Sequence, residues 1–188
     1  MPPSLPAGLF VTDPARTPDI LETVERLPDG FGVLFRHFGL ADQIKLAPSL
    51  ARLCHSQSRL LLVSADPRLA RHIDATGVHW PARLASEASR ITPSQKPGIQ
   101  TMSAHSIKEL RHARSLGMDA ILVSSVFESA SPSAGAPMGL ARLAAFARNT
   151  NLGVYALGGI VAENAERVSN LAGLASSSGL SRVYRPRP

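Results

Sequence analysis

The residue best suited to acid/base chemistry is His105, which follows Ser103 and Ala104 at the end of an apolar run that begins at Gly98. A histidine at a strand end can accept or donate a proton near neutral pH. The same position would also suit a residue that caps the next helix or holds a loop. The sequence leaves these roles open and makes His105 the candidate catalytic residue.

A second candidate is Arg36, which stands inside the apolar run 32–38. A guanidinium group cannot easily be left unpaired in apolar surroundings, because its charge and its five donors need partners. It therefore meets either an anionic ligand or a neighbouring carboxylate, and the sequence favours neither.

The pair Gly158-Gly159 follows the apolar run 154–157 and is the candidate phosphate site. Glycines after a strand allow close approach of a ligand, and their N–H groups can bind phosphate oxygens. Serines 176–178 could complete the site. The alternative is a tight turn with no ligand.

The sequence predicts structural roles for the other histidines and for the single cysteine. His79, in Gly77-Val78-His79, is expected to pack at a strand end. Histidines 55, 72 and 112 fall in helical patterns and are expected at the surface, and Cys54 is expected to be a buried, inert thiol. No His, Asp or Glu residues have the spacing of a known zinc or magnesium motif.

Eight short apolar runs alternate with seven helical patterns and would position these residues. The predicted strands are 9–11, 32–38, 60–63, 77–80, 98–103, 120–126, 153–157 and 173–180. Such alternation predicts a parallel sheet, and eight strands favour a closed (β/α)₈ barrel in which function lies at the C-terminal strand ends. We expect an α/β fold with one barrel domain, 1–180, whose last helix is short or missing, and a basic Arg/Pro tail, 181–188. An open flavodoxin-like sheet is the alternative.

Composition narrows the possible partners. The chain of 188 residues is 44% hydrophobic and 5% aromatic, with a formal net charge of +6. The basic residues are scattered, apart from Arg182, Arg185 and Arg187, and they are not interleaved with aromatic residues. Nucleic-acid binding is therefore not favoured. The positive charge instead favours small anions such as phosphates as ligands. No secretory signal or long apolar run is visible, so we expect a cytoplasmic protein without membrane contact.

Several segments, in this order, resemble a known family. They lie at 9–14, 77–79, 102–109, 117–127, 135–140 and 156–165, and the most specific are Met-Ser-Ala-His-Ser-Ile-Lys-Glu and Ala-Leu-Gly-Gly-Ile. Together they are similar to the thiamine phosphate synthase and TenI-like (thiazole tautomerase) family of (β/α)₈ barrels. The match is strongest from about 98 to 165.

The resemblance implies a ligand and roles for particular residues. The synthase reaction joins a pyrimidine diphosphate to a thiazole phosphate, usually with Mg²⁺, whereas the tautomerase would use a histidine that matches His105 as acid/base. A thiazole phosphate or thiamine phosphate is the implied ligand, and a homo-oligomer is possible. The implied substrate- and phosphate-binding residues are Arg36, Ser103, Ser129, Ser131, Gly158, Gly159 and Ser178.

The sequence departs from the synthase pattern where pyrophosphate and Mg²⁺ would bind. The family's Gln-x-Arg-x-Lys keeps only Arg36, and its Asn-Asp pair becomes Ser64-Ala65, with Asp66 one position away. The second acidic ligand has no counterpart near Trp80, and the loop 129–132 lacks the family's lysine. A divergent synthase, a tautomerase that needs no Mg²⁺ and a non-catalytic binder of the same phosphates therefore remain as alternatives.

Overall fold

The computed structural model describes residues 4–91, 98–129 and 135–177. Eight parallel strands pair in chain order, and the last strand pairs with the first to close a barrel. The closing register joins Gly8 to Leu174 and Phe10 to Ser176. The predicted (β/α)₈ barrel is thus confirmed, and the open flavodoxin-like sheet is wrong.

Strands and helices alternate along the whole described chain. The strands are β1 (Gly8–Val11), β2 (Phe31–Phe35), β3 (Leu61–Ser64), β4 (Gly77–Trp80), β5 (Ile99–Ala104), β6 (Ala120–Val123), β7 (Gly153–Leu157) and β8 (Gly173–Ser176). The helices are α1 (Ile20–Glu25), α2 (Ala41–Ser56), α3 (Pro67–His72), α4 (Ala85–Arg90), α5 (Ile107–Ser115), α6 (Gly139–Arg148) and α7 (Ala162–Ser169). A short 3₁₀ helix, Ala82–Leu84, precedes α4.

Apolar side chains pack in two layers because both faces of each strand are covered. One layer fills the space between the strands and the surrounding helices. The other fills the barrel interior with alternate strand residues such as Leu9, Val11, Leu62 and Leu122. Burial on both faces explains why the strands appear in the sequence as nearly continuous apolar runs.

Some predicted strands are longer than the observed ones, and the cause in each case is local. The sixth strand stops at Val123, not Val126, because the carbonyl oxygens of Ser125 and Val126 accept from the N–H groups at 138 and 139, at the start of α6, and not from a neighbouring strand. The second strand stops at Phe35, before Phe38 adopts a left-handed backbone (φ 52°). The eighth strand is described only to Ser176, and the predicted tail lies outside the described residues.

The residues expected to be structural have the predicted environments. Histidines 55, 72 and 112 are exposed on their helices. Cys54 is buried, and burial raises the pKa of its thiol to about 12, so it is a poor nucleophile. Among the described helices, none has the length and apolarity needed to span a membrane.

Candidate functional site

A cavity of about 760 Å³ lies at the C-terminal ends of the strands. Three of the predicted site residues line it together, namely Arg36, Ser103 and His105. The other lining residues are Val11, Leu34, His37, Phe38, Gly39, Ser64, Ala65, His79, Pro81, Ala82, Arg83, Leu122, Ser124 and Leu157. The volume falls in the range of small-molecule sites, and this end of the barrel is where such folds bind their ligands.

His105 lines this cavity, and one of its ring nitrogens already forms a hydrogen bond within the protein. Its Nδ1 lies 2.8 Å from the carbonyl oxygen of Ser124, at the end of β6. A carbonyl oxygen can only accept, so Nδ1 carries the proton and the neutral ring has its lone pair on Nε2. This tautomer makes Nε2 the atom that can take a proton from a ligand.

The motif His-Ser-x-x-Glu fixes the backbone at His105. The Ser106 side chain caps α5 by accepting a hydrogen bond from the Glu109 N–H at 3.2 Å, and the Glu109 carboxylate accepts from the His105 N–H. This arrangement resembles a capping box, shifted by one residue. Ser106, not His105, is therefore the cap, and His105 does hold the adjacent loop through Ser124.

Arg36 is paired with a carboxylate, which was one of its two predicted alternatives. Its Nη2 lies 3.2 Å from Asp13 Oδ2, and its Nε donates to the Thr12 carbonyl oxygen at 3.0 Å. Burial lowers the pKa of this guanidinium, and the Asp13 charge opposes that effect. Arg16 also contacts Asp13, at 3.8 Å. Two guanidinium groups share one carboxylate, so the group keeps a net charge of +1.

His79 lies on the floor of the cavity, where it is buried as expected. Its ring bridges two hydroxyl groups of β5, with Nδ1 2.9 Å from Thr101 Oγ1 and Nε2 3.0 Å from Ser103 Oγ. Burial, with a smaller contribution from the Arg36 charge, lowers the pKa of His79 to about 3. The ring is therefore neutral at neutral pH, and it orients the Ser103 hydroxyl.

This neutral histidine predicts a loss of stability in acid. Unfolded His79 takes up a proton below pH 6.5, whereas the folded protein resists protonation down to about pH 3. Acid thus favours unfolding, and the stability that neutral His79 contributes is lost as the pH falls through this window, by about 1.4 kcal/mol per pH unit. Urea unfolding across the window should show a shallower pH dependence for His79→Gln than for wild type. His112→Gln, at an exposed position, should retain the wild-type slope, and equal slopes for all three proteins would contradict the prediction.

The predicted phosphate-binding glycines lie beside the cavity but do not line it. Gly158 and Gly159 have φ of 96° and 67°, and a Cβ on Gly158 would lie 3.0 Å from Ser125 Cα. The Gly158 carbonyl accepts from the Phe127 N–H, and the Gly159 carbonyl accepts from the Asn164 side chain. These contacts account for both glycines as turn residues. Their role in phosphate binding stays a prediction.

Of the predicted serine residues, one lines the cavity and the others do not appear in its described lining. Ser103 lines the cavity, whereas Ser129 is half-buried outside it. Ser131 and Ser178 lie outside the described residues. Their proposed contacts with a ligand therefore stay predictions.

The described lining of the cavity does not fit a Mg²⁺ site. Its described lining holds no Asp or Glu side chain. Asp66, considered as a replacement ligand, caps α3 through Oδ1, which accepts from the N–H groups of Arg68 and Leu69 at 3.1 and 2.8 Å, and its Oδ2 lies 3.7 Å from Nε2 of the lining residue His37. Across the described ranges, no group of three or more His, Cys, Asp or Glu side chains could hold a metal ion. Mg²⁺ binds mainly through carboxylate and water oxygens, so nothing in the described lining favours it over water.

Five polar lining residues were not among the predicted site residues, namely His37, Ser64, His79, Arg83 and Ser124. Ser124 was missed because the predicted sixth strand ran past it, and Arg83 because the residues after the predicted fourth strand, 81–91, have a helical pattern in the sequence. His37 lines the cavity too, and its Nδ1 accepts from the Gly39 N–H at 3.0 Å. Polar residues just after each strand were the available signal, but it depends on correct strand ends.

Comparisons with known proteins agree with this fold and site. A family model described as thiamine monophosphate synthase (TMP-TENI) matches residues 9–180. The "Putative thiamine-phosphate synthase 2" of Aquifex aeolicus is 32% identical over 85% of this chain and 88% of that protein. The thiamine-phosphate synthase of Prochlorococcus marinus is 29% identical over 66% of this chain but only 36% of its own length.

A solved structure extends the likeness in fold. The thiamine phosphate pyrophosphorylase from Pyrococcus furiosus matches with a TM-score of 0.77 at 22% identity, covering 95% of this chain and 89% of that one. At this identity the structural match supports the barrel fold alone. The family model and the Aquifex relative establish the family: this chain belongs to the thiamine monophosphate synthase (TMP-TENI) family.

Proposed function

We propose that the chain binds a thiazole phosphate at the mouth of the barrel and shifts a proton on it, as a thiazole tautomerase, with His105 as acid/base. One observation carries the proposal: His105 borders a cationic cavity whose described lining holds no carboxylate. A proton shift needs a base and an oriented ligand, whereas departure of pyrophosphate needs strong charge stabilisation, usually from Mg²⁺.

The cavity has a wall that suits the heterocyclic ring. Val11, Leu34 and Leu122 are almost fully buried interior residues that also line the cavity, and Leu157 continues this wall on β7. Such a surface favours a flat, weakly polar ring by removing its apolar area from water. Leu34 stands where the resembling family has glutamine, which makes this wall more apolar.

The proton transfer would use the Nε2 lone pair of His105. In the proposed step, Nε2 takes a proton from one position of the bound thiazole, and the imidazolium returns a proton to another. The bond to the Ser124 carbonyl oxygen stabilises the imidazolium and fixes the ring during both transfers. No atom is gained or lost, so the reaction is an isomerisation that requires no second substrate.

The phosphate of the ligand would bind beside β7 and β8. Gly158 and Gly159, with Ser129, Ser131 and Ser178, are the residues we propose for it. The left-handed turn at Gly158-Gly159 supports this assignment, since such turns expose N–H groups at a strand end. The loops after strands seven and eight are the usual phosphate site of the fold.

Thermal melting with each ligand tests the proposal against the synthase. A ligand at 100 times its Kd adds about 2.7 kcal/mol, which is about 5–11 °C for a chain of this size. We expect this shift with thiazole phosphate or thiamine phosphate, equally in EDTA and in Mg²⁺. A shift with the pyrimidine diphosphate that requires Mg²⁺ would instead support the synthase. Stabilisation by thiazole phosphate without turnover would identify a non-catalytic binder.

A further inference from the structure

We propose that Arg83, together with Arg36, forms a second oxyanion site in this cavity, which binds a phosphate or diphosphate group directly and without a divalent metal. The inference rests on the proposed function, since it concerns the same cavity. The resembling family binds pyrophosphate on this β2–β4 side, and what the inference adds is the role of Arg83 and anion binding without a metal. Gly158 and Gly159 follow β7, on the other side of the mouth.

The first argument is the charge of the lining. Arg36 and Arg83 are its permanently charged residues, and its three histidines, His37, His79 and His105, carry no negative charge. With no carboxylate in the described lining, these charges repel a divalent cation and attract an oxyanion.

The second argument is that Arg83 is available to a ligand. It is exposed on the 3₁₀ helix Ala82–Leu84, at the rim of the cavity. Within the described part of the chain, no carboxylate lies within 4.0 Å of its guanidinium. An unpaired guanidinium at a cavity rim can form bidentate hydrogen bonds with phosphate oxygens.

The third argument is that Arg36 contributes charge while its position is fixed. Asp13 holds Nη2 and the Thr12 carbonyl holds Nε, so the side chain is oriented before a ligand arrives. Arg16 offsets the Asp13 charge, which leaves the group Arg16, Asp13 and Arg36 with a net positive charge. A fixed cation binds an anion with less loss of side-chain entropy than a mobile one.

The segment that carries Arg83 also explains the missing metal ligand. It follows Gly77-Val78-His79, and the resembling family has its second acidic metal ligand just after this motif. Here that segment brings a cation to the cavity, and Asp66, after β3, is used as a helix cap. The cationic charge that a metal would supply is therefore supplied, in this proposal, by the chain itself.

Titration calorimetry with inorganic pyrophosphate and, separately, inorganic phosphate tests this site. The full chain is titrated in EDTA and again in excess Mg²⁺ at constant ionic strength. We expect binding in EDTA that Mg²⁺ does not strengthen. Arg83→Gln should weaken it about tenfold, the loss expected for a charge-assisted hydrogen bond. Tighter binding of pyrophosphate than of phosphate identifies a diphosphate site, and equal binding a single phosphate site.

Arg90→Gln is the matched control, since it removes the same charge from an exposed position of α4 outside the cavity lining. It should leave both affinities near the wild-type values. Equal losses in Arg83→Gln and Arg90→Gln, no loss in Arg83→Gln, or binding only with Mg²⁺ would overturn the proposal. Because the probes carry no thiazole, pyrophosphate binding in a protein that does not bind thiazole phosphate would refute the proposed function and not this site.

Discussion

His105→Ala is expected to slow proton transfer to bound thiazole phosphate by about 10²–10⁴-fold, the usual contribution of a positioned acid/base. The reason is the loss of Nε2, which the hydrogen bond from Nδ1 to Ser124 leaves as the basic atom of the ring. The rate is measured as hydrogen–deuterium exchange of the ligand, followed by NMR. Since His105 is exposed, the variant should fold, and its free energy of unfolding should lie within about 1 kcal/mol of the wild-type value.

A second substitution separates catalysis from loop support. His105→Gln keeps an amide donor that can reach the Ser124 carbonyl, but glutamine cannot accept and return a proton. It should therefore be as slow as His105→Ala. His112→Ala, on the exposed side of α5, should retain the wild-type rate. A glutamine variant with nearly full activity would mean that His105 only holds the loop.

Gly77→Ala is expected to destabilise the barrel by about 3 kcal/mol, at the upper end of the cost of overpacking a core. A Cβ at this position would overlap the carbonyl oxygen of Ile99 and lie 2.8 Å from the Ile99 nitrogen. These are backbone atoms of β5, paired with Gly77 in the sheet, so no side-chain rotation can relieve the clash. The melting temperature should fall by about 6–12 °C.

Gly135→Ala provides the comparison, because a Cβ there meets no atom within 4 Å. It should change the melting temperature little. The clash at Gly77 would separate β4 from β5, the strands that carry His79 and Ser103. Loss of ligand binding in Gly77→Ala is therefore expected as well, and an unchanged melting temperature would contradict the close packing of these strands.

The strands could be predicted from the sequence because most of them are buried on both faces and therefore consist mainly of apolar residues. Runs such as Gly8–Val11 and Leu61–Ser64 are covered on both faces, and a nearly continuous apolar run is what such strands require. His105 could be found because it follows a well-defined strand and precedes a clear helix start at Ser106.

The partners of the charged groups could not be predicted in the same way. Whether Arg36 meets a carboxylate depends on the register of β1 and β2, which brings Asp13 within 3.2 Å of it. Asp66 looked like a substitute metal ligand, but its Oδ1 accepts from two N–H groups of α3 and caps that helix. Arg83 reaches the cavity only because the chain forms a 3₁₀ turn after β4. The outcomes for Arg36 and Arg83 depend on geometry across strands or turns that residue spacing does not encode, whereas the cap at Asp66 follows a local signal, an Asp before a Pro at a helix start.

The most direct test of the central claim is whether the wild-type protein exchanges ligand protons without metal. Purified protein is incubated in D₂O with thiazole phosphate and EDTA, and incorporation of deuterium is followed by NMR, while pyrophosphate release from the pyrimidine diphosphate is measured with and without Mg²⁺. We predict exchange that depends on His105 and no pyrophosphate release under either condition. Release of pyrophosphate that requires Mg²⁺, with no exchange in EDTA, would contradict the account.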